Sequence, residues 1–135
     1  MVVTVVMTTY FTPEVPKRQE YAKQAVESLT RHLVCDERLR LAVSDDSKDA
    51  FQPITHDLIC MGWKDSYSTN SDHHGIGASL NHAMRHLGSD SAYWMYTTDD
   101  WVLEAPLNLD GPIKLLRDRE YDLVRLGPIH PNLPC

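Results

Sequence analysis

The sequence predicts an α/β domain with a mostly parallel central sheet and helices on both of its faces. Three observations carry that expectation. The chain opens on Val2–Thr9, β-branched and almost continuously apolar, as a strand covered on both faces is. Strand-type and helix-type segments then alternate, an order that favours parallel pairing and short crossovers. Two acidic clusters, Asp45-Asp46 and Asp99-Asp100, follow strand-type segments directly, at the edge where open α/β sheets bind ligands.

Taken in order, Pro13 and Pro16 end the first strand in a loop. Residues 17–34 have helical spacing, with Tyr21, Ala25, Leu29 and Leu33 on one stripe and Ala22 and Val26 beside it. Residues 39–43 form a second strand running into Ser44-Asp45-Asp46-Ser47-Lys48-Asp49, and residues 54–61 a third. Residues 64–74 are polar and turn-rich and read as a loop. From Ile76 a second helix places Ile76, Leu80, Ala83, Met84 and Leu87 on one face, with Gly88 as its stop. Residues 92–98 are the strand before Asp99, residues 112–119 a short helix, and residues 122–126 a final strand.

The bulk numbers set limits. At 135 residues the chain is expected to be one domain, 1–135, long enough for a core. Its 42% hydrophobic and 24% charged residues are those of an ordinary globular protein. A formal charge of −6 argues against a nucleic acid polymer as partner, which calls for a basic face. Cys35, Cys60 and Cys135 are far apart with no Cys-x-x-Cys pair, so neither a disulfide framework nor a zinc cluster is expected, and a reducing, cytoplasmic setting is the default. Residues 1–7 lack a basic start and a cleavage site and read as core strand, not signal peptide. No apolar run approaches the roughly 18 residues of a membrane span.

Residues 91–101, Ser-Ala-Tyr-Trp-Met-Tyr-Thr-Thr-Asp-Asp-Trp, are the most informative stretch. Adjacent carboxylates repel unless a cation or a hydrogen-bonded ligand sits with them. Hard oxygen ligands of this kind suit Mg²⁺ or Mn²⁺, usually shared with substrate phosphates. Read singly, each acidic cluster is equally a polar turn or a helix cap. In a parallel sheet both clusters lie on one edge and can share one cleft. His82 and His86 are spaced like metal ligands, but no Glu lies between them and no third ligand is evident, so a solvent-facing pair is expected. Gly75-x-Gly77 follows a polar loop and lacks a third glycine, which argues against a dinucleotide fingerprint.

Four segments, in this order and spacing, resemble family 2-like GT-A fold glycosyltransferases over roughly the first 105 residues. Residues 3–14 are similar to the opening strand and its Thr-Tyr-Asn-Arg-Pro-Glu loop. Leu41-Ala42-Val43-Ser44-Asp45-Asp46-Ser47 is similar to the second strand and its Asp-Asp-Gly-Ser end. Residues 75–83 match the Gly-x-x-x-Ala/Ser-x-Asn helix start, and Tyr96-Thr97-Thr98-Asp99-Asp100 sits where Asp-x-Asp belongs. The resemblance implies a Rossmann-like GT-A three-layer sandwich and glycosyl transfer from a nucleoside-diphosphate sugar donor to an unidentified acceptor, with Mn²⁺ or Mg²⁺. It implies that Thr9 and Tyr10 line the nucleotide pocket, with Tyr10 flanking the base. Asp46, with or without Asp45, accepts hydrogen bonds from base or ribose, and Asn81 or its helix face orients the ribose–diphosphate region. Asp99 and Asp100 are the implied metal and ribose ligands, their division of labour open.

The departures are specific. Phe11 replaces an Asn, Ser47 replaces a Gly, Thr97 or Thr98 stands at the first position of Asp-x-Asp, and His73-His74 stands near the usual basic residue. The acceptor half and catalytic base of such enzymes lie after the metal motif, in a part this chain mostly lacks. A non-catalytic nucleotide-sugar-binding module, or a truncated or minimal transferase, is therefore the alternative. A nucleotidyltransferase wants a glycine-rich loop after the first strand, and residues 8–16 contain no glycine. Exposed edges of a half-domain suggest self-association as a homo-oligomer.

Overall fold

The computed structural model describes residues 1–48, 62–71, 74–86, 90–119, 121–124 and 126. Its central sheet is parallel throughout. β1 (Val2–Thr9) lies between β3 (Arg38–Asp45) and β5 (Tyr93–Thr98), and β4 (Ser66–Asn70) pairs with β3 on the outside, giving the order β4-β3-β1-β5. A separate parallel pair joins β2 (Leu33–Val34) to β6 (Leu107–Asn108). The helices are α1 (Lys17–His32), α2 (Ile76–His86) and α3 (Asp110–Arg117).

Strand periodicity divides the core into two layers. Odd-numbered residues of β1 and β3, namely Val5, Met7, Leu41 and Val43, pack with Phe11 against Ala22, Ala25, Val26 and Leu29 of α1. The same face continues through Val3 to Leu109 and Ile113 at α3. Even-numbered Val6 and Ala42 face α2, where Ala83 is fully buried and Leu80 packs beside it. Thus α1 and α3 cover one face and α2 the other. The β1-to-β3 and β4-to-β5 crossovers run in opposite directions over opposite faces, so both have the same hand, as parallel sheets require.

Small residues set how closely each helix approaches. The alanines of α1 bring its backbone near the sheet. On the opposite face Ser44 and Ser79 meet, Oγ to Oγ at 2.7 Å, and the Ser44 hydroxyl also reaches the Ser79 carbonyl at 2.8 Å. A serine at each position lets α2 sit on β3 while keeping every buried polar atom of the contact hydrogen-bonded.

Several expectations need correction. Residues 66–70, read as loop for their polarity, are the edge strand β4: half its sheet face is open, so no apolar run is required, while Tyr67 and Thr69 have strand preference. The first helix stops at His32, and Leu33 and Val34 become β2 because they pair with Leu107 and Asn108. Tyr21 is exposed, the buried stripe being Ala22, Ala25, Val26 and Leu29. Ile76 and Met84 are exposed too, since α2 touches the sheet through Ser79 and Ala83. The last helix begins at Asp110, so Pro112 falls in its first turn, where no N–H is needed. Residues 122–124 and 126 are not strand. The strand expected at residues 54–61, the Gly88 stop and Leu87 lie outside the described residues.

Candidate functional site

The carboxyl ends of β3, β1 and β5 open side by side into a cavity of about 280 Å³. It is lined by Thr8, Thr9, Tyr10, Asp46, Thr98 and Asp99 from the strand ends, by Arg18 from α1, and by Gly75, Ile76 and Ser79 from α2. The chain steps outward from β1 to β3 to β4 and then returns to the far side of β1 as β5, so this is the switch point of the sheet.

Asp45 and Asp46, adjacent in sequence, point to different tasks. The Asp45 carboxylate is buried behind the cavity. Its Oδ1 accepts hydrogen bonds from the Thr9 hydroxyl at 2.8 Å and the Ser47 hydroxyl at 2.6 Å, and its Oδ2 from the Asn70 amide at 3.2 Å. Ser47 Oγ in turn accepts the Phe11 N–H at 2.8 Å. The serine at 47 and the buried phenylalanine at 11 are thus parts of one clasp between the exits of β1 and β3. Asp46 faces the cavity. Its Oδ1 accepts from the Ser71 hydroxyl at 2.6 Å and the His74 N–H at 2.9 Å, and its Oδ2 from the Gly75 N–H at 2.9 Å. It therefore anchors the turn that starts α2, where Gly75 adopts φ +96°.

Asp99 ends β5 fully buried, and the Arg18 guanidinium holds both its oxygens, Nε to Oδ2 at 3.0 Å and Nη2 to Oδ1 at 3.3 Å. The hydrogen bond to Asp99 raises the Arg18 pKa further above its ordinary value, with the Asp99 and Asp100 charges adding to it and burial opposing it, so the group is permanently a cation. Asp100 is exposed and takes the Thr98 hydroxyl at 2.5 Å. The segment that follows is tied back to α1 by the Leu103 N–H donating to Ser28 Oγ at 3.0 Å.

Of the sequence-predicted residues, the fold brings Thr9, Tyr10, Asp46 and Asp99 to one cavity. Asp45 lies behind it, and Asp100 and Asn81 are exposed and not among its lining. His73 lies outside the described residues, while His74 contributes its backbone N–H. His82 donates to or accepts from the Thr69 hydroxyl at 2.7 Å, and its ring lies tilted against that of His86, centroids 4.5 Å apart. Among the described residues no group of three or more His, Cys, Asp or Glu is placed to hold a metal ion.

Sequence reasoning missed Arg18, Asn70 and Ser71. A signal existed for the first: a cation in the first turn of a helix opposes the helix dipole and calls for an anionic partner. Asn70 and Ser71 sit at the end of the strand that was read as loop, and nothing local marked them. No family model matches this chain and no curated protein matches it, so the cavity is characterised by its own geometry.

Proposed function

We propose that this chain is the nucleotide-binding part of a GT-A-like glycosyltransferase that takes a nucleoside-diphosphate sugar as donor. One arrangement supports the reading: Thr9-Tyr10, Asp46 and Asp99, from three neighbouring strands, line a single cavity at the switch point of a parallel sheet. Its 280 Å³ lies just below the about 300–1,000 Å³ usual for ligand pockets, enough for part of a donor. In this reading Tyr10 flanks the base. The Asp46 carboxylate, which faces the cavity, is the acceptor for a ribose or base donor.

Transfer builds negative charge on the departing diphosphate, and a cation placed there stabilises the transition state. The resemblance assigns that role to Mn²⁺ or Mg²⁺ on Asp99 and Asp100. Here Arg18 already holds both Asp99 oxygens and Thr98 takes Asp100 Oδ1, so a protein cation stands beside these carboxylates.

A second reading, a nucleotide-sugar-binding module without transfer, has one observation in its favour. The two carboxylates lining the cavity are already engaged by Arg18 and by Ser71, His74 and Gly75, so neither is set to take a proton from an acceptor.

Calorimetric titration of UDP, GDP and dTDP and of their common sugar conjugates tests the reading, with release of free sugar measured alongside. Submillimolar binding of one nucleotide is expected. Free sugar in the same samples separates a transferase from a binder, and a folded protein that binds none of them ends the proposal.

A further inference from the structure

We infer that Arg18, clamped by Asp99, is the cation that meets the donor's diphosphate, in the place a divalent ion would otherwise take. The inference rests on the nucleotide-sugar reading of the same cavity and adds the group that neutralises the phosphates.

Arg18 stands in the first turn of α1, immediately after Lys17, where the partial positive charge of the helix end disfavours a cation. Its position needs an offsetting anion, and Asp99 supplies one from 81 residues away in sequence. Because Asp99 is fully buried, losing Arg18 leaves an uncompensated charge inside the protein, so the pair holds firmly. The two contacts, 3.0 and 3.3 Å, share the Nε–Nη2 edge of the guanidinium and set the direction of its plane.

A guanidinium has five N–H donors, and Asp99 uses two. The other three have no partner among the described residues, and the side chain, 40% exposed, lines the cavity. A planar fork with unused donors, locked in orientation and always charged, matches two phosphate oxygens. Asp99 is then an orienting residue for Arg18. A metal drawn to Asp99 would share with Arg18 the carboxylate that aims the cation.

The test is calorimetric titration of UDP, GDP and dTDP, and of the corresponding nucleosides, in EDTA and in Mn²⁺. The proteins are the wild type, Arg18→Lys and the charge-neutral double variant Arg18→Gln/Asp99→Asn, each checked for folding by thermal melting. The wild type should bind one nucleotide equally well in both buffers. Arg18→Lys keeps a cation but loses the fork and should weaken binding about tenfold or more. The double variant should lose EDTA-resistant binding of the diphosphate while nucleoside affinity stays unchanged. Wild-type binding that collapses in EDTA, or a folded double variant with wild-type affinity, overturns the inference while leaving the nucleotide reading intact. Absence of binding by the folded wild type in both buffers removes the two together.

Discussion

Asp45 accepts hydrogen bonds from Thr9, Ser47 and Asn70, which belong to the exits of β1, β3 and β4. Its neighbour Asp46 accepts from Ser71, His74 and Gly75, all on the return path to α2. The pleat separates two carboxylates that sequence shows only as a pair, and each is satisfied by a different set of donors. Removing Asp45 strands the buried Thr9 and Ser47 hydroxyls and leaves a void, while the Asn70 amide keeps the Ser47 carbonyl. Asp45→Ala should therefore lower stability by about 2–3 kcal/mol, seen as a lower urea midpoint at an unchanged slope. A loss well under about 1 kcal/mol would mean that water replaces the carboxylate.

At the scale of an element, α2 decides the shape of the cavity. It is placed by Asp46 at its start and by the Ser44–Ser79 contact one turn later. Two glycines near its start differ in what they are for. Gly75 has φ +96°, a conformation that side chains disfavour, although a Cβ there would meet nothing within 4 Å. Gly77 also has open space but ordinary helical geometry. The same change should thus act with opposite signs. Gly75→Ala should cost about 1–2 kcal/mol through backbone strain alone. Gly77→Ala should stabilise by up to about 1 kcal/mol by restricting the unfolded chain and favouring the helix. Thermal melts of the two variants side by side check this, and destabilisation by Gly77→Ala would show that something packs at that spot.

Across the whole molecule, the two edges of the sheet are built differently. The carboxyl edge carries the cavity, while the opposite edge is closed by Arg40, buried at the start of β3. Arg40 reaches Asp90 ahead of β5 at 2.6 Å and Asp65 ahead of β4 at 3.3 Å, and its guanidinium lies 5.2 Å from the centre of the Tyr67 ring. One cation therefore fastens the entries to three strands. The hydrogen bond from Arg40 holds the Asp90 carboxyl below its ordinary range, against a smaller desolvation effect. A carboxyl depressed in the folded state adds stability that is fully present above its unfolded pKa, about 3.9, and is lost as pH falls through its lower folded value. Asp90→Asn should lower the melting temperature at pH 7, and the gap from wild type should close in acid below that value. Because Asp90 is exposed, the gap should also narrow in high salt. A gap unchanged by acid would place the effect in packing instead of charge.

Much of this architecture is written locally. The β-branched run of β1 and the helical spacing of Ala22, Ala25, Val26 and Leu29 declare themselves because burial on two faces, or on one stripe, demands a periodic apolar pattern. The same logic put both acidic clusters at one edge, since consecutive strands of a parallel sheet all end on the same side. β4 escaped because a polar edge strand owes its form to backbone pairing with β3, a partner more than twenty residues away. What the sequence by itself determined is the α/β class, the parallel sheet and one shared edge for the two acidic clusters; Asp45, Asn81 and Asp100, expected at the same site, do not line the cavity. Only the tertiary structure decided that Asp45 is an internal clasp and that Arg18 occupies Asp99. The physical reason is that a strand pattern fixes which edge a side chain reaches, while its hydrogen-bond partners come from segments that only folding brings near.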